Sequence, residues 1–166
     1  MDSEIKTGAT YRVEVVAPDG TVSQHSVEHN KVPTEGLNHM AAVIFKAGTQ
    51  VSPWFIAPFE GDYTPTGNET AATIAAAAQE TTAYAAAARL EFVEGAVASG
   101  AVDNTANKAE FVFNANKVVH GVFIVSASPK GATTGTLISV VRFSSPKTVD
   151  SGSTLRVTAG FAFASV

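Results

Sequence analysis

Leu155-Arg156-Val157-Thr158-Ala159-Gly160-Phe161-Ala162-Phe163-Ala164 decides the fold. Leu155, Val157, Ala159, Phe161 and Phe163 share one face, and Arg156, Thr158, Gly160, Ala162 and Ala164 share the other. An alternation of period two belongs to a strand with one buried face. Ten extended residues span about 30 Å at roughly 3.3 Å each, so this strand crosses a whole sheet.

Other strands can be read around it. Tyr11-Arg12-Val13-Glu14-Val15 alternates in the same way, Pro18-Asp19-Gly20 supplies a turn, and Thr21 to Val27 returns, which predicts a hairpin over 10–28. Val118 to Ala127 is apolar on both faces and belongs at the centre of a sheet. Arg89 to Glu94, Ala106 to Phe113 and Thr136 to Phe143 are further strands, with turns at 128–135 and 144–152. Val51 to Phe59 contains Pro53 and Pro58 and reads as an edge or interrupted strand.

One segment has helical period. Leu37, Met40, Ala41, Ile44 and Phe45 form one face behind Thr34 as N-cap, with Gly48 as terminator, which predicts a helix at about 34–47. Thr70 to Ala88 has 11 alanines among its 19 residues, but its threonines weaken helix, so one or two short turns are expected there. The pattern predicts a mainly β chain: an antiparallel, jelly-roll-like β-sandwich with one amphipathic helix inserted. Residues 1–9 read as a polar N-terminal arm, and 10–166 as a single domain.

Composition narrows the function. The 166 residues include no cysteine, which excludes disulfides, thiolate metal sites and cysteine nucleophiles. The net charge of −4 argues against a nucleic-acid partner. No apolar run is long enough for a membrane span, and the start, Met1 to Lys6, lacks the pattern of a signal peptide. Charged residues make up only 16%, against about 25% in ordinary domains, while Ala, Thr, Ser and Gly supply 72 positions. A surface of small neutral side chains is cheap for a neighbour to cover.

No catalytic pattern stands out. Glycine-rich phosphate loops, nucleophile elbows and zinc-type histidine motifs are absent. His25 and His29 fall on a strand, about 13 Å apart, too far to share one ion. His120 reads as a half-buried strand residue and His39 as exposed. Glu60, Asp62 and Glu69 lack the dense alternating carboxylates of a calcium loop. No metal and no cofactor are therefore expected, nor enzymatic activity. Trp54 reads as core, and Tyr63 as the aromatic most available for outside contact.

Several segments resemble, in order and spacing, those of a widespread group of tailed-bacteriophage virion proteins. They are Val32-Pro33-Thr34-Glu35-Gly36-Leu37-Asn38, Phe59-Glu60-Gly61-Asp62-Tyr63-Thr64-Pro65, Thr82-Ala83-Tyr84, Lys108-Ala109-Glu110-Phe111, Gly135-Thr136-Leu137-Ile138-Ser139 and Gly152-Ser153-Thr154-Leu155-Arg156-Val157-Thr158. Ser153 stands where the group usually has Asp. The chain resembles this group from about residue 11 to 163. The resemblance implies a structural protein of the virion, a capsid decoration (cement) protein on the capsid exterior, made in the host cytoplasm. Its partner would be the major capsid protein, and it would be a homo-oligomer, dimer or trimer. A tail or neck component, with a receptor- or glycan-binding role, is the alternative. The expected partner contacts are Asp2, Glu4 and Lys6 in the arm and Asp62, Tyr63 and Pro65 in the loop after Phe59.

Overall fold

The computed structural model describes residues 5–165. Its elements run β1 (Ile5–Val16), β2 (Val22–His29), α1 (Thr34–Phe45), β3 (Phe55–Phe59), α2 (Ile74–Ala77), β4 (Leu90–Glu91), β5 (Ala101–Asp103), β6 (Ala109–Val112), β7 (Lys117–Val125), β8 (Leu137–Val149) and β9 (Thr154–Ser165). They form an antiparallel β-sandwich. One sheet has the order β2-β1-β9, with β5 and β6 both beside β9, and the other has the order β4-β3-β7-β8.

The last strand organises the first sheet, as its sequence requires. Every residue of β9 has a partner in β1, from Thr154 opposite Val16 to Ser165 opposite Ile5. Its far side takes β6 at Thr154–Val157 and β5 at Gly160–Ala162. Leu155, Val157 and Ala159 are fully buried between the sheets with Tyr11, Val13, Phe111, Val122 and Ile124. The hairpin is present and longer than expected. Residues 5–9, read from sequence as an arm, are the first half of β1.

The sandwich is tied across its open side by polar side chains. The Gln24 amide acts as a peptide group would: Nε2 donates to Thr148 O at 2.8 Å and Oε1 accepts from Thr148 N at 3.3 Å. Glu28 accepts from the Ser144 amide and hydroxyl at 3.0 Å each. Inside, Tyr11 and Asn30 both donate to Ser139 Oγ, at 2.6 and 2.7 Å, joining the two sheets.

A third layer lies outside the second sheet. Ala71, Ile74 and Ala78, from the Ala-rich segment, pack on Phe59, Phe123, Val125, Leu137 and Val140 in a second apolar cluster. Alanine suits this position because the cover lies close to the sheet. The cover is pinned by Arg89, whose fully buried guanidinium bonds Glu80 at 2.9 and 2.6 Å and also donates to Ala127 O and Ala132 O. Lys130 Nζ sits 3.6 Å above the Tyr84 ring and donates to Thr82 O and Tyr84 O.

Three expectations are corrected, and one strand was unforeseen. β8 runs through 144–149, where a turn was expected; as an edge strand it tolerates Pro146, and its register against β7 breaks between Val119 and Gly121. β5 had no forecast. The N-cap of α1 is Pro33, not Thr34, whose hydroxyl donates to Gly67 O. The apolar stripe of α1 is not buried: Leu37, Ile44 and Phe45 are exposed, and only Gly36 is buried, against the backbone of Leu137 and Ile138.

Candidate interaction surfaces

The loop after Phe59 is built around one carboxylate. Glu69 Oε1 accepts from the Tyr63 hydroxyl at 2.7 Å, the Thr66 amide at 2.5 Å and the Thr66 hydroxyl at 2.9 Å. Its Oε2 accepts from the Gly67 amide at 2.9 Å. Burial opposes ionisation, but the Thr66 amide and Tyr63 hydroxyl outweigh it, and the Glu69 pKa falls to about 2. The Tyr63 phenol is pushed up to about 12, by burial and then by its bond to Glu69.

Tyr63 is therefore a latch within the loop, its ring against the outer apolar cluster, rather than a free contact. Pro65 is half-buried beside it. Of the three expected loop contacts only Asp62 faces outward, and it is paired. Its Oδ1 lies 2.5 Å from Arg142 Nη2 and 3.6 Å from His120 Nδ1, while Arg142 Nη1 donates to Thr64 Oγ1 at 2.6 Å. Lys117 and Glu60 pair nearby at 2.7 Å. Exposed pairs of this kind contribute little to stability and leave no uncompensated charge for a partner.

The arm residues have a different fate. Asp2 and Glu4 lie outside the described residues. Lys6 sits in β1 opposite Ala164, exposed. β2 accompanies β1 only from Thr10 onward. Asn30 closes the ladder there: its Oδ1 accepts from the Ala9 amide at 2.7 Å, and its own amide donates to Ala9 O at 3.1 Å. From Gly8 back to Ile5, about 13 Å of strand at 3.3 Å per residue, the edge away from β9 has no strand neighbour among the described residues.

A third surface was not foreseen. A groove of about 470 Å³ lies between α1, the 92–97 segment and the end of β9, lined by Met40, Val43, Trp54, Val97, Phe161 and Phe163 among others. Ile44 and Val97 on its walls are largely exposed and Phe163 about half so, and Phe45, which follows Ile44 in the chain, is 79% exposed. The helical period of 37–45 was legible. That its apolar face looks outward was not, because periodicity shows that a face is apolar and not what covers it.

Tyr84 is buried in the inter-sheet core, Tyr63 is held by Glu69, and Trp54, expected in the core, stands half-buried in the groove with His39 edge-on at 5.7 Å. His25 and His29 are exposed on β2, and no cluster of three metal-ligating side chains occurs among the described residues. No described helix is long and apolar enough to cross a membrane. No protein-family model matches the chain, and no curated protein matches it.

Proposed function

We propose that this chain is a non-enzymatic structural component of a tailed-phage particle, which decorates the capsid and stabilises it by bridging neighbouring copies of the major capsid protein. The observation that carries the reading is the exposed apolar groove walled by Ile44, Val97 and Phe163, with Phe45 exposed next to Ile44 in the chain. A contiguous apolar patch on a low-charge surface marks a place for a partner. The resemblance of the segments from Val32 to Thr158 to tailed-phage virion proteins suggests the phage setting, and the pairing of Glu80 with Arg89 and of Glu69 with its loop supports a structural reading of the buried charges. Self-association as a dimer or trimer, the capsid exterior as location and synthesis in the host cytoplasm belong to the same proposal.

The test is the copy number per purified virion, by quantitative mass spectrometry against the major capsid protein. A count comparable to the capsid subunits is expected. A dozen or fewer copies would favour the tail or neck, and absence from the particle would overturn the proposal. Ile44→Asp with Phe45→Asp should abolish binding to particles that lack the protein, with the fold intact by circular dichroism.

A further inference from the structure

The open edge of β1 has a defined chemistry on its rim and on both of its faces. Ala9 directs its N–H and C=O to Asn30. Alternation along the strand then directs those of Thr7 and Ile5 to the same side, while Gly8 and Lys6 face β9. The Thr7 and Ile5 groups bond nothing among the described residues. Open peptide groups at two-residue spacing are matched by another extended strand. The inner face of this edge runs into the apolar groove: Thr7 stands beside Phe163 and Ala9 beside Phe161 in the ladder with β9, and both phenylalanines line the groove. The outer face carries Lys6, exposed and without an ion pair among the described residues.

These features say what kind of strand fits. Within Ile5–Gly8 a second copy of this edge does not. The register that joins the open groups of Ile5 in one copy to those of Thr7 in the other sets Lys6 against Lys6, and like charges directly opposite weaken a strand pair. The register centred on Thr7 calls on Ala9, whose groups Asn30 already takes. A lysine on an edge strand is a common guard against self-pairing. The strand that fits comes from a different chain. It has apolar residues on the face beside Ile5 and Thr7, next to the groove, and an acidic residue on the face beside Lys6.

We propose that the partner of this chain docks by adding an extended segment to the β1 edge at Ile5–Gly8, with alternate apolar side chains turned toward the groove and a carboxylate beside Lys6. Main-chain bonds to Ile5 and Thr7 supply attachment, and the groove and Lys6 supply selection. Ile5, 75% exposed in the single chain, gains an apolar neighbour. The added strand stops at Ala9, where Asn30 closes the edge. The inference deepens the docking put forward above and rests on that reading for the identity of the partner as a capsid subunit. There a contact of four residues is reinforced by others on the same lattice.

Two probes test it on the full chain. The first is a synthetic peptide, acetyl-Val-Thr-Val-Glu-Val-Thr-Val-amide, followed by NMR. The Ile5 and Thr7 amides should shift and become protected from exchange. Thr7→Pro should weaken binding about tenfold or more. It should leave Tm unchanged, because the Thr7 amide and hydroxyl bond nothing among the described residues, whereas Gly8→Pro should lower Tm. Lys6→Glu should weaken binding about threefold, and a peptide with Lys in place of its Glu should recover that loss. The second probe is particles that lack the protein, to which Thr7→Pro should also bind about tenfold more weakly. Peptide binding indifferent to Thr7→Pro, or a dimer of the native chain that Thr7→Pro abolishes, would overturn the proposal. Particles bound by Thr7→Pro as tightly as by the native chain would overturn it too and leave the capsid reading standing. A chain that takes the peptide at this edge but binds no particle would count against the capsid reading alone.

Discussion

Two carboxylates, Glu69 and Glu80, show how charge is used inside this protein. Glu69 is ionised in a place where burial disfavours it, held by three donors from Tyr63 and Thr66 and one from Gly67. Its folded pKa of about 2 lies below the 4.5 of a free glutamate, so its contribution is complete above pH 4.5 and is lost as the pH falls toward 2. At roughly 1.4 kcal/mol per pKa unit this amounts to about 3 kcal/mol. Thermal unfolding between pH 5 and 2 should show the loss in the native chain. Glu69→Gln should have a lower Tm at pH 7 and a flatter profile in that window; an unchanged profile would mean that the latch is not ionised. Tyr63 acts at the other end of the scale: its phenol titrates at about 12 instead of 10, so its share is complete below pH 10 and drains away toward pH 12. Arg89 and Glu80 form the second case, with both side chains almost wholly buried. Arg89→Met should cost about 3–5 kcal/mol, because it strands a buried carboxylate, while Arg89→Met with Glu80→Leu should recover most of that. Urea unfolding of the two variants separates a pair that stabilises from one that is merely satisfied. Neither role was legible in sequence. Tyr63 and Glu69 are six residues apart in a turn-rich loop, and only the folded path of that loop brings them together.

At the scale of elements, the strands whose faces differ in polarity were legible and those defined by position were not. β9 and the β1–β2 hairpin alternate cleanly because one face of each packs in the core. β7 reads as central because both of its faces are covered, by the opposite sheet and by the Ala-rich layer. β8 is 13 residues long, yet Ser144-Ser145-Pro146-Lys147 has the composition of a turn. It stays extended because Glu28 and Gln24 of β2 bond its backbone, contacts more than a hundred residues apart in sequence. β5 is three residues of no special composition and exists because β9 overhangs β6 and leaves an edge to fill. α1 is the instructive case. Its stripe of Leu37, Met40, Ile44 and Phe45 predicts burial, but only Met40 packs against the core, and Ile44 and Phe45 are exposed. If the helix met the core along the whole stripe, Phe45→Ser would cost several kcal/mol, in the range of core truncations. From the observed exposure the cost should be within about 0.5 kcal/mol. A denaturant midpoint unchanged in that variant, together with lost binding to particles, would assign Phe45 to a partner rather than to the fold.

At the scale of the whole molecule, both ends of the chain meet in one ladder. Ile5 and Ser165 are opposite each other in β1 and β9, and the pairing continues for twelve residues into the core. The strand that completes the first sheet is thus the last in the sequence, and its partner is the first. Such long-range pairing closes a large loop before any contact rewards it, which slows folding. A circular permutant tests this arrangement directly. A short Gly-Ser linker would join Val166 to Met1, and new ends would open between Asp19 and Gly20, in an exposed turn held by bonds from Ala17 N to Thr21 O and from Gly20 N to Ala17 O. The permutation turns β9 and β1 into a hairpin and gives up only the two-strand turn between β1 and β2. It should fold to the same circular dichroism spectrum, with Tm within a few degrees of the native chain, and refold faster in stopped-flow because its longest contacts become local. Removal of residues 154–166 should instead abolish folding, since Tyr11, Val13 and Phe111 would lose the strand that stands between theirs. A permutant that fails to fold while the truncated chain succeeds would mean that the β1–β9 ladder is not what holds the first sheet together.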